Sequence, residues 1–206
     1  MKKVFRAGML LALVVGANQD AAATILNSSR GLGGAAKQQI SFRAPTLAPL
    51  AFVKFCMRYQ SECHKPQIMF RGGPVKLTAE RYAELIDVNR AVNVAIRPQP
   101  NLAGVAGEEW IINPSHGDCN DYAVSKRHQL RARRWPERSM FLSEVVTTWG
   151  EHHLILVVRT DKGDLILDNL TGAIKPVGLG RYQWVRAQHP GNPIVWHEIS
   201  QQTVNS

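Results

Sequence analysis

Cys119 stands in the stretch "SHGDCNDYAV", between Asp118 and the pair Asn120 and Asp121, directly after Gly117. From Cys119 onward Tyr122, Ala123, Leu130 and Ala132 alternate with Lys126, Arg127 and Arg131 at helical spacing, which predicts a helix running to about Arg134. A thiol in the first turn of a helix meets the partial positive charge of unpaired backbone N–H groups, and this favours thiolate, the form that attacks carbonyl carbon. Gly117 leaves room for a sharp turn and for a substrate backbone, and the Cys119 N–H is a natural oxyanion donor. Asp118 and Asp121 oppose thiolate formation if they point inward, so a cationic neighbour is required. A histidine meets that need, as base first and imidazolium afterwards.

Of the seven histidines, His152 and His153 open the apolar stretch "HHLILVVRT", and Asp168 lies near the end of the following stretch "DLILDNL". The intervening "DKG" reads as a hairpin turn. With a two-residue turn, Asp161 and Lys162, Asp168 faces Ile155 and shares a face with His153. With Gly163 added to the turn the parity flips and His152 matches instead. Either arrangement sets a histidine beside a carboxylate and gives a nucleophile, base and orienter in Cys119, a histidine and Asp168. Hydrolysis of a peptide bond and transfer to an amine, as in a transglutaminase or an amidase, share the same thioester, so the triad does not separate them. A non-catalytic binding module retaining the three residues is the alternative from another class. His116 reads as a solvated loop residue, and His189 and His197 lack the spacing of a zinc site. The five tryptophans read as core or rim.

The elements that must hold these groups begin after a leader. "MKKVFR" and the eleven-residue apolar run "AGMLLALVVGA" precede a small-x-small site at Ala21 and Ala23, the pattern of a secretory signal peptide over residues 1–23. The run is too short to span a bilayer of roughly 30 Å, so no membrane anchor is expected after cleavage. Residues 24–47, rich in Gly, Ser and Ala, read as a flexible leader that ends in a short extended segment, and residues 48–200 as one domain. Three cysteines in an oxidising compartment cannot all pair. Cys56 and Cys63 either form a disulfide, which requires the helix to break near Gln60 to Glu62, or remain buried thiols. Cys119 is unpaired in both cases. The formal charge of +9 is scattered, with one tight cluster at Arg131, Arg133 and Arg134, and no nucleic-acid partner is expected.

Helical spacing recurs in "APLAFVKFCMRYQ" and in "TAERYAELIDVNRAVNVAI", with Thr78 as N-cap and Pro98 and Pro100 beyond the end. "MFLSEVVTTW", "HHLILVVRT" and "DLILDNL" read as strands of an antiparallel meander, and "RYQWV" as a last strand with Gln183 in the cleft. A helical front half followed by strands defines an α+β domain.

The blocks "GDCNDYAVSKRHQL", "HHLILVVRTDKGDLILDNL" and "VNRAVNVAI", with "EEW" ahead of the cysteine, resemble the bacterial transglutaminase-like cysteine peptidases, the LapG-like periplasmic proteases. The likeness covers roughly residues 48–197. It implies a papain- or transglutaminase-like fold, with the cysteine at a helix start packed on an antiparallel sheet. The triad it implies is Cys119, His153 and Asp168, because the family's histidine directly precedes the apolar strand. It further implies a large surface adhesin as substrate, an inner-membrane cyclic-di-GMP receptor as regulator, and a calcium site at Asp118, Asn120 and Asp121. Asn120 stands where the pattern commonly has Glu, and the lost charge weakens that site.

Overall fold

Strand β1 (Phe42–Thr46) opens the chain of elements and is followed by helix α1 (Leu50–Arg58) and the one-turn helix α2 (Gln60–Cys63). The computed structural model describes residues 38–64 and 74–200. The expected signal peptide and residues 24–37 of the expected leader lie outside them. The end of that leader is ordered: β1 pairs with a later strand, and Ile40 is buried with its N–H donating to Asp164 Oδ2 at 2.8 Å. The helical run breaks at Tyr59, and this break lets Cys56 and Cys63 form a disulfide with Cα atoms 5.5 Å apart.

Helix α3 (Ala79–Ala95) starts where Thr78 Oγ1 accepts the Arg81 N–H, and it stops at Ile96, two residues before Pro98. Strand β2 (Arg97–Pro98) pairs in parallel with β3 (His116–Gly117), and the short helix α4 (Gly104–Gly107) lies between them. This small ladder sets the approach to α5 (Cys119–Ala132).

The second half is strands: β4 (Met140–Val146), β5 (His152–Thr160), β6 (Gly163–Leu167), β7 (Lys175–Pro176), β8 (Gln183–His189) and β9 (Asn192–Ile199). Together with β1 they form one seven-stranded antiparallel sheet in the order β1-β9-β8-β4-β5-β6-β7. The expected meander is therefore its β4–β5–β6 part. The strand containing "RYQWV" is central instead of last, since β8 lies between β4 and β9, and Gln183 does not line the cleft beside Cys119. Burial explains the position: Trp184 and Ala187 of β8 pack with Phe141, Val145, Ile155 and Val157 on the sheet face away from the helices. The other face carries Leu142, Leu154, Leu156 and Val158, packed against Phe52, Leu85, Val92 and Leu130 of the helices. With both faces covered, β4 and β5 read as nearly unbroken apolar runs. Among the described residues no helix is long and apolar enough to cross a membrane.

Candidate active site

Asp118 and Asp121 build the start of α5 between them. Asp118 Oδ1 accepts the Asn120 N–H at 3.0 Å, and Asp121 Oδ2 accepts the Asp118 N–H at 3.1 Å, a reciprocal capping box. Asp121 Oδ1 takes the Ile111 N–H at 2.7 Å, tying the preceding loop to the helix. A Cβ on Gly117 would come within 2.2 Å of Asp121 Oδ2. The glycine thus makes space for this carboxylate, and the room expected there for a substrate backbone is taken.

Cys119 is a free, half-buried thiol on the first residue of α5. Its position is the one the sequence suggests, but its charge state at rest is not. Burial pushes the thiol up to about 12; the Leu154 N–H works against this as a hydrogen-bond donor to sulfur, and the charges of Asp118, Glu108 and Asp121 add to it. The helix-start effect is outweighed, and the resting group is a neutral thiol.

The β5–β6 hairpin turns through two residues: Thr160 pairs with Gly163 and Leu156 with Leu167. That register places Asp168, just past β6, on the face of His153. His153 Nε2 and Asp168 Oδ1 are 2.9 Å apart, and both residues are buried. The ring nitrogen not engaged by Asp168 is Nδ1. His152, the preceding residue on β5, is exposed, pairs with Glu144 at 2.7 Å and also lines the cleft beside Cys119. Asp168 is held further by the Leu170 N–H at 3.0 Å and by the Tyr182 hydroxyl on Oδ2. Burial raises its pKa, but the hydrogen bonds from His153, Tyr182 and Leu170 outweigh this and hold the carboxyl below its ordinary range.

Two residues of this environment have no sequence signal. Tyr182 lies ahead of β8, and only the tertiary fold returns it to Asp168. Lys126, seven residues after Cys119 and therefore on the same side of α5, is almost wholly buried with its Nζ 5.9 Å from the Tyr122 ring centroid. Burial lowers it to about 7, while the charge of Asp168 acts in the opposite sense.

A cleft of about 690 Å³ brings Cys119, His153 and Leu154 together with Glu108, Trp110, Asp118, Asn120 and Glu144. Asn120 Nδ2 donates to Glu108 Oε1 at 2.5 Å, and Trp110 Nε1 donates to the same oxygen at 2.9 Å. Burial, followed by the charges of Asp118 and Glu108, raises Asp121 to about 6 against the pull of its backbone donors. Among the described residues, the carboxylates of Glu108, Asp118 and Asp121 therefore gather beside Cys119 without a paired cation, the chemistry that a calcium ion suits. Among the described residues, no three His, Cys, Asp or Glu side chains are grouped to hold a metal as they stand. Both Asp121 oxygens already carry backbone N–H groups, so Glu108, Asp118 and Asn120 are the better-placed donors.

A thiol at a helix start thus packs on an antiparallel sheet that carries a histidine and a carboxylate. The family described as bacterial transglutaminase-like cysteine proteinase (BTLCP) matches residues 42–204, and the chain belongs to that family: it is a cysteine peptidase. Among solved structures it is similar to calcium-bound Legionella pneumophila LapG, with 16% identity and a TM-score of 0.51, over 87% of this chain and 90% of that one. An EGTA-treated form of the same Legionella protein aligns at 18% identity and a TM-score of 0.48, over 77% and 92% of the two chains. A third structure of Legionella pneumophila LapG aligns at 20% identity and a TM-score of 0.48, over 59% and 70%. No curated protein matches the sequence.

Proposed function

We propose that the chain is an exported peptidase that cuts a protein substrate with Cys119 as nucleophile, His153 as base and Asp168 as its orienter. The observation that carries this reading is the 2.9 Å pairing of His153 Nε2 with Asp168 Oδ1, with His153 lining the same cleft as Cys119. With Nε2 fixed by Asp168, Nδ1 is left to take the thiol proton. Because the resting thiol is neutral, attack on the peptide carbonyl and proton transfer to His153 proceed together. The Cys119 N–H faces the oxygen that becomes negative. The imidazolium then gives its proton to the leaving amine as the C–N bond breaks, and water, deprotonated by His153, hydrolyses the thioester.

Export through a signal peptide over residues 1–23 into the periplasm fits the Cys56–Cys63 disulfide, since such bonds persist in oxidising compartments. The same reading takes a surface adhesin as substrate and an inner-membrane receptor as regulator. Calcium belongs to it as well, held by Glu108, Asp118 and Asn120 once the Asn120 amide turns its oxygen inward. When bound, the ion would offset the negative charge that adds to burial in raising the thiol.

The test is N-terminal labelling of envelope proteins exposed to the wild-type protein or to Cys119→Ala. New N-termini on a surface protein should appear with the wild type alone. Cleavage that persists in the alanine variant, at unchanged sites and rate, would exclude Cys119 as nucleophile.

A further inference from the structure

We propose that Tyr182 is a positioning residue of this site: its hydroxyl fixes Asp168 Oδ2 so that Oδ1 stays aligned on His153 Nε2, and its ring covers that pair. The inference rests on the roles proposed above for His153 and Asp168.

Asp168 lies one residue beyond β6, where no strand partner holds its carboxyl. Its main-chain oxygen is anchored by Asn93 Nδ2 at 2.9 Å, and Oδ1 is shared between His153 Nε2 and the Leu170 N–H. An aspartate carboxyl turns broadly about its last torsion unless its second oxygen is also held. The Tyr182 O–H supplies that second anchor. The ring centroid of Tyr182 is 6.0 Å from that of His153, with the planes inclined by 37°. Tyr182 is itself seated: it packs on the sheet face away from the helices, and a Cβ at Gly180 would stand 3.4 Å from its Cδ2. Three contacts, to Asp168, to the His153 ring and to the core on the sheet face away from the helices, therefore converge on one half-buried tyrosine.

The hydroxyl also spreads the charge of Asp168, so less of it acts on the imidazole. Other groups face the pair from each packed element. Lys126 comes from α5 below Asp168, Cys119 from the start of α5, and Glu144 with His152 from the rim of β4 and β5, where those two pair with each other. None of them bonds Oδ2 among the described residues. Removing the hydroxyl leaves a looser carboxylate with more concentrated charge, which slows proton transfer and favours the protonated base. The acid limb of the Cys119 reaction reports protonation of that base.

The experiment is iodoacetamide alkylation of Cys119 across pH 4 to 9 in the mature protein, comparing wild type, Tyr182→Phe and His153→Ala. Phenylalanine keeps the ring and the packing, and thermal unfolding checks that the fold is retained. Tyr182→Phe should lower the rate at the optimum by about tenfold and move the acid limb up by roughly half a unit or more, as expected for loss of one hydrogen bond to a charged group. A purely structural tyrosine would leave the limb in place. If His153→Ala loses the fast reaction and Tyr182→Phe overlays the wild type, Tyr182 does not position the site. If His153→Ala itself overlays the wild type, the assignment of the base fails and this inference falls with it.

Discussion

At its C-terminal end α5 brings Arg127, His128 and Arg131 onto one buried carboxylate, Glu62, whereas at its N-terminal end Glu108, Asp118 and Asp121 gather around Cys119 with no cation paired to them among the described residues. Arg127 Nη1 donates to both Glu62 O and Glu62 Oε2 at 2.9 Å, and Arg131 Nη2 donates to Ser61 O at 2.8 Å. This end clamps the disulfide-closed turn of α2 to the helix. At the other end backbone N–H groups and the helix start hold the acids, and burial, with the remaining negative charge adding to it, pushes the thiol up to about 12 and raises Asp121 to about 6. One helix thus pairs its charges at the end that ties down α2 and, among the described residues, leaves them unpaired at the end that carries the proposed nucleophile.

The sharpest way to break this contrast is Glu62→Ala. Removing the one carboxylate strands Arg127 in the interior, and urea unfolding should show a loss of about 3–5 kcal/mol. An unchanged midpoint would mean that the basic end is not a structural tie.

Lys126 lies between the two ends and tests how the helix tolerates a buried charge. Its folded value, about 7, lies below the ordinary 10.5, so the unfolded chain binds the proton more tightly. The stability linked to this lysine is full above 10.5 and is lost progressively as the pH falls towards 7. Lys126→Met should therefore be more stable than the wild type at pH 7 by roughly 1–4 kcal/mol, with the difference shrinking by pH 10. Parallel pH dependence in the two proteins would show that Lys126 carries no such penalty.

The smallest expected effect sharpens the acidic end. Calcium added after EGTA treatment should raise the melting temperature of the wild type by about 2–4 °C, corresponding to about 1 kcal/mol, and leave Asp118→Asn unmoved. Asparagine caps a helix as well as aspartate, so the variant removes charge and keeps the helix start. Equal shifts in both proteins would place the ion elsewhere.

Local patterns reached far into this molecule. Apolar spacing delimited α1, α3 and α5, Thr78 marked a helix start, and β-branched apolar runs marked β4 to β6, because those signals depend on neighbours within a few residues. The sequence also placed a lone thiol at a helix start, and it narrowed its partners to two histidines and one aspartate. Geometry in the sequence left His152 and His153 open and the family resemblance favoured His153; the register of β5 on β6 is what sets His153 against Asp168. Tertiary structure alone inserted β8 beside β4, brought Tyr182 and Lys126 to Asp168, and filled the space at Gly117 with the Asp121 carboxylate. The charge state of Cys119 belongs with these, because a helix start acts within one turn, while burial and three carboxylates from two segments act through space.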